Sequence, residues 1–332
     1  MPPSARPAPD AFRRGLSAVV ANPGLILAPL AFGLAVLASI VVPVLLLFLR
    51  VVGFSRGLGW RVSPSRDPGA FVEPFRSFLE GLRDSPFAVL LGLLGLLAVL
   101  LLLTAFGAFL RAGVTGCLLA IDARVPEDAP LAAFRHPGLG AVFWPSARRN
   151  YGRFFALVNV YGLALSAVVL VLLLPLGLAV FAGAMARGGF AALALVLFLL
   201  VLPPAFGASI ALRVLYLVAC RLAASEDVDA LEAVGRAVSW TRASLSPTVL
   251  LYLLSLAAGV VSGFAFLVPR LALSLASGRS FVLFAFGTGV VVLAQMLVGF
   301  AYDLSVSGAF VSLWPAAPAG MTSSADAPPF VV

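Results

Sequence analysis

The sequence predicts an all-α polytopic membrane protein, with six transmembrane helices arranged as three hairpin units, each preceded by an in-plane amphipathic helix. Three observations carry that expectation. Of 332 residues, 62% are hydrophobic and 11% charged, with a mean hydropathy of +1.10, whereas soluble domains are about 45–50% apolar and about 25% charged. Six uncharged runs are long enough to cross the roughly 30 Å hydrocarbon core of a bilayer. Third, one order of unlike features recurs three times: an arginine-bearing amphipathic stretch, a polar break, a membrane helix, an outer connection and an overlong second membrane helix.

The elements follow in chain order. Residues 1–9 are too rich in proline to fold and read as a disordered lead. Asp10 to Ala21 has helical spacing, with Phe12, Leu16, Val19 and Val20 on one face and Asp10, Arg13 and Ser17 on the other. Asn22-Pro23-Gly24 breaks it, and the uncharged run Leu25 to Leu49 is the first span, with Pro29 and Pro43 as kink sites. Residues 50–86 form a hydrophilic extracytoplasmic insertion, inside which Ala70 to Leu82 reads as a surface helix with an apolar stripe of Phe71, Phe75, Phe78 and Leu82. The second span is Phe87 to Leu110, continuing past Arg111 to about Ala123.

Residues 124–146 read as a loop, followed by an arginine-bearing segment from Ser146 to Arg153 with a weak point at Asn150-Tyr151-Gly152. Phe154 to Ala186 is the third span, Arg187-Gly188-Gly189 a tight turn, and Phe190 to Leu212, bent near Pro203-Pro204 and extended to Ala224, the fourth. Val228 to Ala243 places Leu231, Val234 and Val238 opposite Asp229, Glu232 and Arg236, with Glu232 and Arg236 in the favoured i, i+4 order. Ser246-Pro247 ends it. Val249 to Val268 and Phe281 to Tyr302, extended to about Trp314, complete six spans. The domain is thus residues 10–315, in units 10–134, 139–227 and 228–315, with 316–332 as a disordered tail.

Ala105 to Phe134 and Ala205 to Val234 repeat one another: Ala-Phe-Gly-Ala opens both, each has an arginine (Arg111, Arg213) and a cysteine (Cys117, Cys220), and each has an acidic turn (Glu127-Asp128, Glu226-Asp227). Gly107, Gly207 and Gly299 recur in the second helix of each unit, with Arg111, Ala211 and Asp303 four residues on. Asp303 is the one acidic residue inside an apolar run, which makes it a candidate for function. Three roles are open to it: pairing with Arg111 or Arg213 at similar depth, snorkelling to water, or proton relay in transport. Asn159, Tyr161 and Gln295 lie deeper and read as interhelical hydrogen-bonding groups. Gly92, Gly95 and the Gly259–Gly263 pair read as close-packing sites, and the two acidic turns as helix caps.

Charge and motif content narrow the function classes. All 22 basic residues are arginine and the net charge is +8, yet they are spread over loops and helix ends, which fits anionic lipid head groups and not nucleic acid. One histidine, His136, anchors no metal by itself, and no cofactor signature, Walker motif, GxSxG or HExxH is present. With the N-terminus inside, thirteen arginines fall on the cytoplasmic side and nine outside, so the positive-inside rule places both termini in the cytoplasm of a bacterial inner membrane. Both cysteines then face the reducing side, where disulfides are rare.

The stretch Leu212 to Leu251, with its acidic turn, the amphipathic DALEAVGRAVSWTRASL and direct entry into a membrane helix, resembles poorly characterised bacterial six-helix membrane proteins. These are similar to the membrane domain attached to some glycerophosphodiester phosphodiesterases. The resemblance implies a stand-alone membrane module without an assigned reaction, and it carries over no hydrolase residue. The expected function is envelope organisation or an accessory role, with a membrane-protein partner or a second copy of the chain; the alternative is a permease with a path between the three hairpins.

Overall fold

The computed structural model describes residues 5–36, 38–39, 86–185, 190–276 and 281–314. Among these the chain is helical, without a strand. The helices are α1 (Ala8–Ala21), α2 (Gly24–Val36), α3 (Pro86–Arg124), α4 (Leu139–Met185), α5 (Phe190–Ser225), α6 (Ala230–Ala243), α7 (Leu245–Ala276) and α8 (Phe281–Leu313), with a 3-10 turn at Leu131–Phe134. Five of them (α3, α4, α5, α7 and α8) contain stretches long and apolar enough to cross a membrane, and α1 with α2 adds a sixth if that bent pair counts as one span. Pro43, the Ala70 to Leu82 helix, most of the 50–86 insertion, the Arg187-Gly188-Gly189 turn and the 316–332 tail lie outside the described residues.

The chain falls into two compact units, Ala28–Gly107 and the combination of Met1–Leu27 with Ala108–Val332. In the first, the rings of Phe32 and Phe106 pack 5.1 Å apart. Gly107 leaves room for Phe32, whose ring would lie 3.6 Å from a Cβ there. In the second, consecutive helices pack on one another, α4 along α5 and α7 along α8, while α1 packs along α8 and touches α7.

The core of this second unit sits at the helix ends. Its fully buried side chains include Leu118 and Ile121 near the end of α3, Leu222 near the end of α5, Phe154 on α4, Leu251 on α7, and Phe310, Leu313 and Trp314 at the end of α8. Farther along the same helices large apolar side chains are open: Leu163, Leu200, Val261 and Phe264 are 65–73% exposed. Such continuous apolar surface is what a lipid environment accepts and water does not.

The α1–α8 contact is made by small residues. Ala8, Ala11, Gly15 and Ala18 form a buried stripe on α1. A Cβ on Gly15 would run into the backbone of Ala309 and Ser305, and one on Gly308 would lie 3.0 Å from the Gly15 Cα. Two backbones this close need glycine at the crossing, as in small-xxx-small packing.

Several sequence expectations are corrected here. The face of α1 named from hydrophobicity is only half buried: Val19 is buried and Phe12 packs against the core, but Leu16 is 45% and Val20 57% exposed. On α6 the buried stripe is likewise Ala230, Ala233 and Ala237, while Leu231 is 75% exposed. Close helix approach selects small side chains, a preference that hydropathy does not register.

The disordered lead does not extend over residues 5–9, because α1 begins at Ala8 and the Arg6 N–H donates to the Leu313 carbonyl at 2.7 Å. No break occurs at Asn150-Tyr151-Gly152: α4 is one helix of 47 residues starting at Leu139, so the preceding loop is shorter than 124–146. One glycine costs a helix only about 1 kcal/mol, too little to interrupt one held by packing on both sides. The break before α7 falls at Ser244, with Pro247 in the first turn of α7, where its missing N–H has no helical partner to lose. Substituting Gly15→Ala should therefore destabilise the purified protein by about 1–3 kcal/mol through overpacking, read as a lowered Tm in detergent. Gly235→Ala, where nothing lies within 4 Å of the new Cβ, should instead stabilise by about 0.5–1 kcal/mol through helix propensity.

Candidate functional site

A helix ends with four backbone carbonyls that lack intrahelical partners, and its dipole places partial negative charge there. Where two helix ends are buried together, those carbonyls need donors, and arginine has five N–H groups in a fixed fork. The ends of α3 and α8 meet this need in the same way. Arg14 of α1, 2% exposed, donates from Nε to Asp122 Oδ1 at 2.9 Å, from Nη1 to the Pro126 carbonyl at 2.9 Å, and from Nη2 to the Asp122 and Val125 carbonyls at 3.2 and 2.8 Å. Arg6 reaches both Asp122 carboxylate oxygens at 3.2 Å and the Ser312 carbonyl at 2.9 Å.

From α5, Arg221 serves the end of α8. Its Nε donates to the Val311 carbonyl at 2.9 Å, and its Nη2 to the Trp314 carbonyl. Trp240 and Trp314 flank this guanidinium with ring centroids 5.3 and 5.9 Å away, a cation–π cage. Asn22 closes the end of α1 similarly, donating from Nδ2 to the Ala18 and Phe134 carbonyls at 2.7 and 2.8 Å and accepting from the His136 N–H at 3.0 Å. No motif in the sequence marks these arginines as a site. The available signal was positional: Arg14 lies in line with Ala11 and Ala18, and Arg221 interrupts the run Val218, Ala219, Cys220, Leu222, Ala223.

One helical stretch away is a second cluster, made of the residues singled out from sequence. Asp303 of α8 accepts from Arg213 Nη2 at 2.5 Å on Oδ1 and from Arg111 Nη2 at 3.4 Å on Oδ2. Arg111 Nη2 also lies 3.2 Å from Ser307 Oγ. The Arg111 guanidinium sits over the Tyr216 ring at 5.1 Å, and Tyr216 stacks on Tyr161 at 4.6 Å. The structure thus brings Asp303, Arg111, Arg213 and Tyr161 into one neighbourhood on α3, α4, α5 and α8.

Asn159 and Gln295 are not part of it. The Asn159 Nδ2 donates to the Phe155 carbonyl of its own helix at 2.7 Å, so it is not the interhelical group expected. Gln295 accepts from Arg270 of α7. Of the glycines read as packing sites, Gly259 faces Tyr302, whose hydroxyl would lie 3.0 Å from a Cβ there, while Gly95 and Gly263 have nothing within 4 Å.

The acidic turns act as ion-pair partners and not as caps. Asp229 occupies the N-cap of α6 without a side-chain hydrogen bond. Asp227, in the left-handed region at φ 59°, pairs with Arg153 and, at 3.2 Å, with Arg149. Hydrogen bonds from Arg153 and Arg149 hold its carboxyl below the usual value. The pairing therefore persists at neutral pH and is lost as pH falls through that lowered value. Arg236 bridges Glu226 and Glu232, both at 2.6 Å, and the hydrogen bonds to Glu232 and Glu226 raise its pKa. Glu127 lies 3.6 Å from Arg6. Cys117 and Cys220 are buried free thiols. Among the described residues no group of three His, Cys, Asp or Glu side chains could hold a metal ion.

Together the long apolar helices and their buried charged ends define a multi-pass helical membrane protein. No protein-family model, characterised protein or solved structure matches the chain.

The buried caps and the exposed Asp227 ion pairs differ in energetic weight. Arg14→Met removes the donors of three carbonyls and leaves the buried Asp122 to Arg6 alone, which should cost about 3–5 kcal/mol. Arg149→Gln breaks an exposed pair and should cost at most about 1 kcal/mol. Thermal unfolding of both variants in detergent checks the contrast.

Proposed function

We propose that the chain is a six-span module of a bacterial inner membrane, built of three hairpins each led by an amphipathic helix, with both termini cytoplasmic. On this reading it acts in envelope organisation or as an accessory subunit. The observation that supports this most is how the described charges of the second unit's core are used. Arg6, Arg14, Arg221 and Asp122 join helix ends to one another, and the surrounding core is filled by Leu, Phe, Trp and Ala. The packing of α4 on α5 and α7 on α8 agrees with two of the three hairpins. Partners on this reading are anionic head groups at the arginine-bearing helices, and a membrane protein or a second copy of the chain.

One observation favours the alternative, a permease: Asp303 and the two arginines join ionisable groups of three spans, as a relay would need. The native cysteines separate the readings, since Cys117 and Cys220 are both buried in the helix-end core. In intact membranes, a small water-soluble methanethiosulfonate should label neither thiol, and detergent denaturation should expose both. Rapid labelling of Cys220, one turn beyond Tyr216, in the folded protein would reveal a water-filled path and replace the scaffold reading with the permease.

A further inference from the structure

Each of three spans carries its first charge where its uncharged run ends. Phe87–Leu110 is followed at once by Arg111, Phe190–Leu212 by Arg213, and Phe281–Tyr302 by Asp303. Runs of that length cross the hydrocarbon core, so these three side chains share one depth, the level where lipid phosphates lie. The structure has them in contact, with Asp303 between the two guanidinium groups at 2.5 and 3.4 Å.

The charges do not balance, since two guanidinium groups share one carboxylate and leave the cluster at +1. Nor do the donors: two forks offer ten N–H groups, whereas Asp303 and Ser307 receive three contacts. The side chains are also accessible, with 29% of Arg111, 40% of Arg213 and 34% of Asp303 exposed. Stacking over Tyr216 fixes the plane of the Arg111 fork, which favours bidentate recognition of a planar or tetrahedral oxyanion over a diffuse charge contact. One turn deeper on the Asp303 face of α8, Gly299 leaves open space, with nothing within 4 Å of a Cβ there.

We propose that Arg111, Arg213, Asp303 and Ser307 form a binding site for a phosphodiester, supplied by an anionic phospholipid. Its single negative charge neutralises the cluster, its unesterified oxygens take the unused guanidinium donors, and an acyl chain lies along the open surface of α8 at Gly299. The site stands whether the module is a scaffold or a permease, because it needs only the geometry of these three helix ends.

The test is a titration of the full-length protein in neutral detergent with phosphatidylglycerol, followed by native mass spectrometry. Phosphatidylcholine and inorganic phosphate serve as competitors, and thermal unfolding confirms that each variant is folded. Arg213→Gln should weaken phosphatidylglycerol binding about tenfold, with Arg213→Lys between it and the native chain. Asp303→Asn should lower Tm yet tighten phosphatidylglycerol binding, since it removes the internal competitor for the two guanidinium groups. Gly299→Phe should weaken the lipid alone. Displacement of the lipid by inorganic phosphate, with the same variant profile, would overturn the lipid as the source. Unchanged binding in Arg213→Gln, or loss of binding in Asp303→Asn, would overturn the site and leave a structural ion triad only.

Discussion

The second unit depends on one constraint: helix ends buried together must find donors for their last carbonyls. In a low-dielectric interior an unpaired carbonyl is costly, and a cation at a helix C-terminus gains from the dipole as well as from the hydrogen bonds. Arg14 and Arg6 do this for the ends of α3 and α8 around the shared carboxylate of Asp122, and Arg221 does it for α8 from the side of α5. Because Arg6 and Arg14 belong to the N-terminal segment, the constraint also explains why α1 is drawn onto α8. Burial of Gly15 against Ser305 and Ala309 is the packing consequence.

The remaining features follow from that arrangement. The ends are held by polar contacts and filled by Trp314, Phe310 and Leu222, while the apolar lengths beyond them stay open to lipid. Between these two zones lies the Arg111–Asp303–Arg213 cluster, only partly exposed and carrying surplus positive charge. A buried pair that caps a helix is conformationally fixed. A half-exposed triad with unused donors can exchange one oxyanion for another, and that difference separates structure from binding in this molecule.

Much of the helical layout was legible from length and charge, because a long uncharged run has few alternatives to a helix. The extents of α3, α5 and α8 follow the apolar runs and their extensions closely, and the contact of Asp303 with both arginines follows from their shared position after those runs. What stayed hidden was the partner of each amphipathic face. Leu16, Val20 and Leu231 are more hydrophobic than Ala11, Gly15 and Ala233, yet the small residues are the buried ones, since backbone proximity and not side-chain hydropathy sets that contact. Arg14 and Arg221 were hidden for a related reason. Read one residue at a time a charge belongs at the surface, and only the neighbouring helix ends, that of α3 for Arg14 and that of α8 for Arg221, give these two buried partners.

The most direct measurement of this account is amide hydrogen exchange on the native protein in detergent or nanodiscs, comparing Ala11 to Val19 with Ser305 to Leu313. If the arginine caps join the N-terminal helix to the end of α8, both segments exchange slowly and open together. Fast, independent exchange of residues 11–19 beside a protected 305–313 would show a detached terminal helix and contradict the account.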